Sequence, residues 1–351
     1  MKRFLLTALT LSMLLCPILH SQEKKEEKRV EMDEATKKAT RKALAWLKER
    51  QNADGSFSDG AYVHNTAITA YAMLAFMSQG HLPNQGLYGP QVAKAGRFLM
   101  ASQRENDGYL VGARGGNMYC HAMATLALAE LYGQTGDDAL KIVVKKATDL
   151  IIGCQNGAGG WRYEPEKSGA DISVTIMQVM ALRAAKNAGM HVPDTTLKKA
   201  LAYIKSCRYD YDKDKRRTKA VDDIGGFTYL PGSGVPGFAR TAAGLCVLFL
   251  TGEYEAKEIP DGVKYLKNHF NSPIHFYYGH YYAAHAMHQV GGKDWEDWYA
   301  RLVRFFVTSG SQHADGSWST TSRREVGPVY QTSIAVIVLS VPAHYLPIFQ
   351  R

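Results

Sequence analysis

A short motif returns along this chain at regular intervals, and it constrains the fold more than any other feature. Gln51-Asn-Ala-Asp-Gly-Ser-Phe57 recurs as Gln103-Arg-Glu-Asn-Asp-Gly-Tyr109, as Gln155-Asn-Gly-Ala-Gly-Gly-Trp161 and as Gln312-His-Ala-Asp-Gly-Ser-Trp318. A degraded copy ends in Gly225-Gly226-Phe227. Gln51, Gln103 and Gln155 stand 52 residues apart, and a further 52 reach Cys207, at the end of an equivalent helical pattern. Self-similarity at such a period marks stacked supersecondary units, none of which buries its apolar face alone. The glycine suits a tight connection at positive φ. The Gln and the aromatic are placed to pin each loop against neighbouring helix ends, so the motif reads as structural.

Each copy lies between two helical patterns. Before the first, Ala39, Ala43, Trp46 and Leu47 form an amphipathic stripe. After it, Ala67 to Phe76 is apolar on nearly every side, as a fully buried helix is. There are six such pairs in all. Outer helices are expected near 35–50, 90–102, 138–153, 194–206, 259–269 and 294–310, and inner helices near 64–79, 117–133, 171–188, 238–251, 278–290 and 329–341. The last inner pattern, Ser333-Ile-Ala-Val-Ile-Val-Leu-Ser340, would stay uncovered in an open array. Closure is therefore favoured: an all-α (α/α)6 toroid over residues 35–345, one ring in place of the two domains suggested by 351 residues.

These Q-x-x-D-G-[ST]-[WF] copies between helix pairs resemble the prenyltransferase and squalene oxidase repeat, the family of squalene–hopene cyclases, class II diterpene cyclases and protein prenyltransferase β subunits. The resemblance spans about 35–345 and implies the toroid. It also implies an apolar or isoprenoid-like ligand in a central cavity, bound or transformed. Class II cyclases protonate an alkene with a D-x-D-D-T-A acid motif at the start of an inner helix. The nearest match here is Asp171-Ile172-Ser173-Val174-Thr175, in which Ser173 and Val174 stand at the second and third acidic positions. The motif is degenerate, and Asp171 is at most a weakened acid. The zinc-binding Asp-x-Cys of the prenyltransferases is missing, and Gly153-Cys154-Gln155-Asn156-Gly157 lacks the Gln of the thioester domains that share this toroid.

Aligning the inner helices on a late apolar residue (Leu74, Leu128, Leu182, Leu248, Met287, Leu339) gives two polar rows. Seven positions earlier stand Ala67, His121, Thr175, Thr241, His280 and Thr332. Nine earlier stand Asn65, Tyr119, Ser173, Ala239, Tyr278 and Tyr330. Both rows lie near helix N-termini, so six positive dipole ends face one mouth, with Arg240 adding a full charge. The expected ligand-binding residues are Tyr119, His121, Arg240, Tyr278, His280 and Tyr330, taking an amphiphile with an acidic head. The alternatives are a ligand- or protein-binding toroid without catalysis, or a carbohydrate-active (α/α)6 enzyme using Asp171 and Asp223 as its two carboxylates. His280, His285 and His288 cannot converge on one ion, because five residues turn a helix by about 140°. No metal and no cofactor is expected.

The chain begins Met1-Lys2-Arg3 followed by an apolar run to Leu19, which reads as a secretory signal cleaved after Ser21. A lipoprotein signal ending at Cys16 and an uncleaved anchor are the alternatives. Residues 22–34 read as a charged linker. The mature protein is expected outside the cytoplasm, secreted or periplasmic, with peripheral membrane contact as one option. The formal charge of +9 points to nucleic acid, anionic lipid or an anionic substrate. It falls to +7 without residues 1–21, and the remaining Lys and Arg are spread over outer helices and the mixed 208–223 loop, so nucleic acid recedes. Cys120, Cys154, Cys207 and Cys246 sit in helical patterns and read as buried free thiols.

Overall fold

The structure is a computed structural model and describes residues 29–212, 221–320 and 325–349. The expected signal, Cys16, most of the 22–34 linker and the basic run Lys213–Lys219 lie outside the described residues. The four remaining cysteines are buried and free. Among the described residues no helix is long and apolar enough to cross a membrane.

Among the described residues, twelve α-helices alternate between two layers. The outer helices are α1 (Glu34–Lys48), α3 (Gly89–Ala101), α5 (Asp138–Gly153), α7 (Asp194–Ser206), α9 (Glu258–Asn268) and α11 (Gly292–Val303). The inner helices are α2 (Thr66–Met77), α4 (Met118–Thr135), α6 (Ile172–Asn187), α8 (Phe238–Leu250), α10 (Phe276–Val290) and α12 (Pro328–Leu339). Each inner helix packs on the next, and α12 packs on α2, so the ring closes. The expected elements are all present, with ends shifted by a few residues. The packed chain also runs past 345, since Leu346 and Ile348 are buried.

The motif loops do the joining. In four copies the Gln side-chain amide donates twice, once to its own loop and once to the first turns of the next outer helix. Gln155 Nε2 reaches Gly159 O and Thr196 O, both at 2.9 Å. Gln312 Nε2 does the same to Gly316 O and Ala39 O, both at 2.9 Å, which ties the last repeat to the first. The glycine has two reasons to be there. Gly159 has φ +96°, and a Cβ on it would lie 2.3 Å from Lys199 O of α7, so only glycine lets the loop touch the helix. The aromatic fills the gap between layers. Trp161 is buried, its indole N–H donates to Ile151 O of α5 at 2.8 Å, and its backbone N–H donates to Thr175 Oγ1 of α6 at 3.1 Å.

That last bond identifies what one of the two polar rows does. Thr69, Thr175, Thr241 and Thr332 accept the backbone N–H of Phe57, Trp161, Phe227 and Trp318, at 2.9–3.1 Å. His121 does the equivalent through Nδ1, accepting from Leu110 N at 3.0 Å. The row faces outward, toward the motif loops. In the first repeat its member is Thr69, two residues beyond Ala67. α2 has 12 residues and α4 has 18, so matching their late apolar residues slips the register.

Candidate functional site

The middle of the ring is packed with tyrosine. Tyr71 of α2 meets Tyr281 of α10 and Tyr330 of α12 edge-on, with centroids 5.6 and 5.0 Å apart. From α10, Tyr278 OH reaches Ser173 O at 3.1 Å and Tyr282 OH reaches Met177 Sδ at 2.9 Å, both on α6 across the ring. All five rings are buried or nearly so, and burial raises each phenol above its ordinary range. The expected central cavity is thus occupied by side chains. Tyr278 and Tyr330 are packing residues of this plug before they are anything else.

His121 and His280 do not line that space. Each is fully buried between the layers: His121 Nε2 lies 3.1 Å from Ala147 O of outer helix α5, and His280 Nε2 lies 3.0 Å from Phe270 O after outer helix α9. Burial pushes their pKa values down to about 4 and about 3, so both are neutral imidazoles. Their expected ligand-binding role is replaced by a packing role. His285 lines a small cavity at the opposite end of the ring, and His288 meets Trp295 edge-on and His344 at a tilt.

The mouth at the inner-helix N-termini differs from the anion site expected there. Asn65, Asn117 and Asp171 cap their own helices α2, α4 and α6. Two further ends are served by carboxylates from elsewhere: Asp59 Oδ2 accepts from Tyr330 N at 2.8 Å, and Glu325 Oε1 accepts from Tyr277 N at 3.4 Å. Carboxyl or amide oxygens thus already serve five of the six positive ends. Arg240 is half-buried and folds back over Gly237 at the start of α8, with Tyr229 and Tyr265 as its electrostatic neighbours. Asp223 is half-buried on the single turn Val221–Asp223 and acts on Tyr265 of α9, while Asp171 is fully buried under different tyrosines.

One group at this mouth stands apart. Asp171 Oδ1 is saturated by three donors: Ser173 N at 3.0 Å, Val174 N at 2.9 Å and Ser173 Oγ at 2.6 Å. Its Oδ2 is buried and has no hydrogen-bond partner of normal length, with the Tyr229 hydroxyl close enough to the carboxylate to interact with it. The nearest cation, Arg162 Nη1, is 3.8 Å away, beyond hydrogen-bonding reach. Buried polar atoms are nearly always paired, and at this mouth the second Asp171 oxygen is the one left without such a bond.

The surroundings are aromatic and polar. Tyr119 OH donates to Ser173 Oγ at 2.5 Å, extending a chain of hydroxyls toward Asp171. Tyr163 OH and Tyr229 OH are joined at 2.7 Å. The Arg162 guanidinium carbon lies 5.2 Å from the Tyr163 ring and 6.0 Å from that of Tyr229. Two backbone bonds set these loops in place: Met118 N donates to Tyr163 O at 2.8 Å, and Ile172 N donates to Tyr229 O at 3.2 Å. Tyr119 and Asp171 were expected site residues and do come together. Arg162, Tyr163 and Tyr229 were missed. Their signal was positional: Arg162 and Tyr163 directly follow the motif residue Trp161.

Comparison with known proteins agrees with this architecture. The model of the prenyltransferase alpha-alpha toroid domain matches residues 18–213. No curated protein matches the chain by sequence. Among solved structures, an inactive variant of an alpha-1,6-mannanase of Salegentibacter sp. HEL1_6, in complex with alpha-1,6-mannotriose, superposes with TM-score 0.63 at 8% identity, over 88% of this chain and 99% of that one. The type II terpene cyclase MstE from Scytonema gives 0.60 at 14% identity, over 90% and 98%. A D-mannose isomerase gives 0.60 at 12%, over 88% and 96%. At these identities the likeness is one of fold, which hosts unrelated chemistries. With the ring, its motif loops and the family match in agreement, this chain belongs to the prenyltransferase alpha-alpha toroid family.

Proposed function

We propose that this protein binds a small molecule at the N-terminal mouth of its inner ring, over Asp171, and that it works outside the cytoplasm. The observation that carries the reading is Asp171 Oδ2, a fully buried carboxylate oxygen without a hydrogen-bond partner of normal length. Such an atom is costly to leave unsatisfied, and a ligand that donates to it recovers that cost. The first hypothesis from the resemblance, an isoprenoid held in the middle, has the tyrosine plug against it. Alkene protonation by Asp171 has its isolation against it, because Ser173 and Val174 stand where further acids would help. Hydrolysis by Asp171 and Asp223 has little support from their different surroundings.

Asp171→Asn tests the reading with little risk to the fold. Asparagine caps helices as well as aspartate does, so its Oδ1 keeps the two backbone bonds while the donor Nδ2 replaces the acceptor Oδ2. Screening alcohol, diol, amine and acid fragments by ligand-observed NMR should return hydroxyl-bearing hits on the wild type. Their affinity should fall at least tenfold in Asp171→Asn. Hits that bind both proteins equally would remove Asp171 from the site.

A further inference from the structure

Resting on that reading of the site, we infer that its ligand is a neutral polyhydroxylated ring, a carbohydrate of pyranose size, and neither an acid, an amine nor an isoprenoid. The selection comes from two opposite charges held close but not in contact. Asp171 Oδ2 and Arg162 Nη1 are 3.8 Å apart. A direct carboxylate–guanidinium pair would close to about 2.8 Å, so both groups retain capacity for a third partner. An anionic ligand reaching Arg162 would bring its charge against a buried carboxylate. A cationic ligand reaching Asp171 would bring its charge against the guanidinium. Either juxtaposition costs energy at this range.

A hydroxyl group has neither problem. One hydroxyl donates to Asp171 Oδ2, and its neighbour on the next ring carbon accepts from Arg162. Vicinal hydroxyls supply that pair, and a hydrocarbon chain supplies neither half. The aromatic walls fit the same ligand. Tyr163 and Tyr229 approach from different loops and are joined through their hydroxyls. Tyr163 is 37% exposed, so part of its ring is open to an arriving ligand. A tyrosine presents an apolar body with a polar tip, matching a sugar ring with its C–H face and equatorial hydroxyls. The Tyr119 hydroxyl donates its proton to Ser173, which in turn donates to Asp171. The lone pairs of Tyr119 are therefore polarised to accept from a further ligand hydroxyl.

Isothermal titration of the full-length protein separates the classes. The probes are methyl α-mannopyranoside, methyl α-glucopyranoside and myo-inositol as neutral polyols, glucuronate and glucosamine as charged relatives, and farnesol in detergent as the apolar control. At least one neutral polyol should bind at least tenfold more tightly than both charged relatives. Asp171→Asn and Arg162→Ala should each weaken it tenfold or more. The inference is overturned if glucuronate or glucosamine binds as tightly as the best neutral polyol, or if no neutral polyol binds. Farnesol binding that Asp171→Asn abolishes would discard the carbohydrate class while keeping the site. Polyol binding indifferent to both substitutions would discard the site itself.

Discussion

Replacing Trp318 with alanine should destabilise the protein by about 3–5 kcal/mol, the range for truncating a buried aromatic. Trp318 is fully buried. Its indole N–H donates to Phe306 O at 2.9 Å, and its backbone N–H donates to Thr332 Oγ1 of α12 at 3.0 Å. Truncation empties the wedge between layers and strands the Phe306 carbonyl. The same loop carries Gln312, whose amide holds Ala39 O and so joins the ends of the ring. Loosening it frees repeat six from repeat one, a cost that no internal copy carries. Trp161→Ala, with the same wedge inside the ring, is the comparison. Denaturant titration should give a lower midpoint for Trp318→Ala than for Trp161→Ala. A loss below about 1 kcal/mol would show that the motif aromatics are not structural.

Glu130 should give the protein a stability that declines as pH rises. It is 3% exposed near the end of α4, and burial raises its pKa from 4.5 to about 8, opposed by the Ile348 N–H at 3.4 Å. Between pH 4.5 and about 8 the folded chain keeps a proton that the unfolded chain has released. Stability therefore falls through that window, by about 1.4 kcal/mol per pH unit for one group fully in its range. Glu325, pushed up to about 7 by burial, works in the same direction. The buried imidazoles oppose them at lower pH. With His121 at about 4 and His280 at about 3 against 6.5 when unfolded, their contribution to stability falls as pH drops below 6.5. Between pH 4.5 and 6.5 the two acids and the two imidazoles cancel, so from these groups stability is level across that window, falls above pH 6.5 and falls again below about pH 4.5. Glu130→Gln keeps the shape and removes the proton, so its advantage should be near zero at pH 4.5 and a few kcal/mol at pH 8. Identical pH slopes for variant and wild type would show that Glu130 is not the group responsible.

The fold was legible because its determinants are local and repeated. A Gln that bridges a loop to the next outer helix, and a glycine that lets the loop approach it, must recur at each junction. The 52-residue spacing records this directly. The inner surface was less legible for a physical reason. α2 and α4 are buried on all sides, so their apolar pattern carries no phase that tells the ring's axis from its outer layer. His121 and His280 fell on the wrong side of that ambiguity. Arg162 and Tyr229 were invisible for another reason: they meet Asp171 through loops whose paths are set by long-range bonds such as Ile172 N to Tyr229 O. The N-terminal caps show the same limit. Asp171 is recognisable as a cap from its place before α6, whereas Asp59 caps α12 from the far end of the chain.

In the proposed function ligand enters at the N-terminal mouth and not through the middle or the opposite end. Amide hydrogen exchange, with and without a saturating neutral pyranoside, locates the entry. Protection should appear at 117–121, 161–175 and 228–230, the segments that carry Tyr119, Arg162, Tyr163, Asp171 and Tyr229. It should be absent around Glu130, His285 and Ile348, and lost throughout in Asp171→Asn. Protection confined to those C-terminal-end residues, or unchanged by Asp171→Asn, would exclude binding at this mouth.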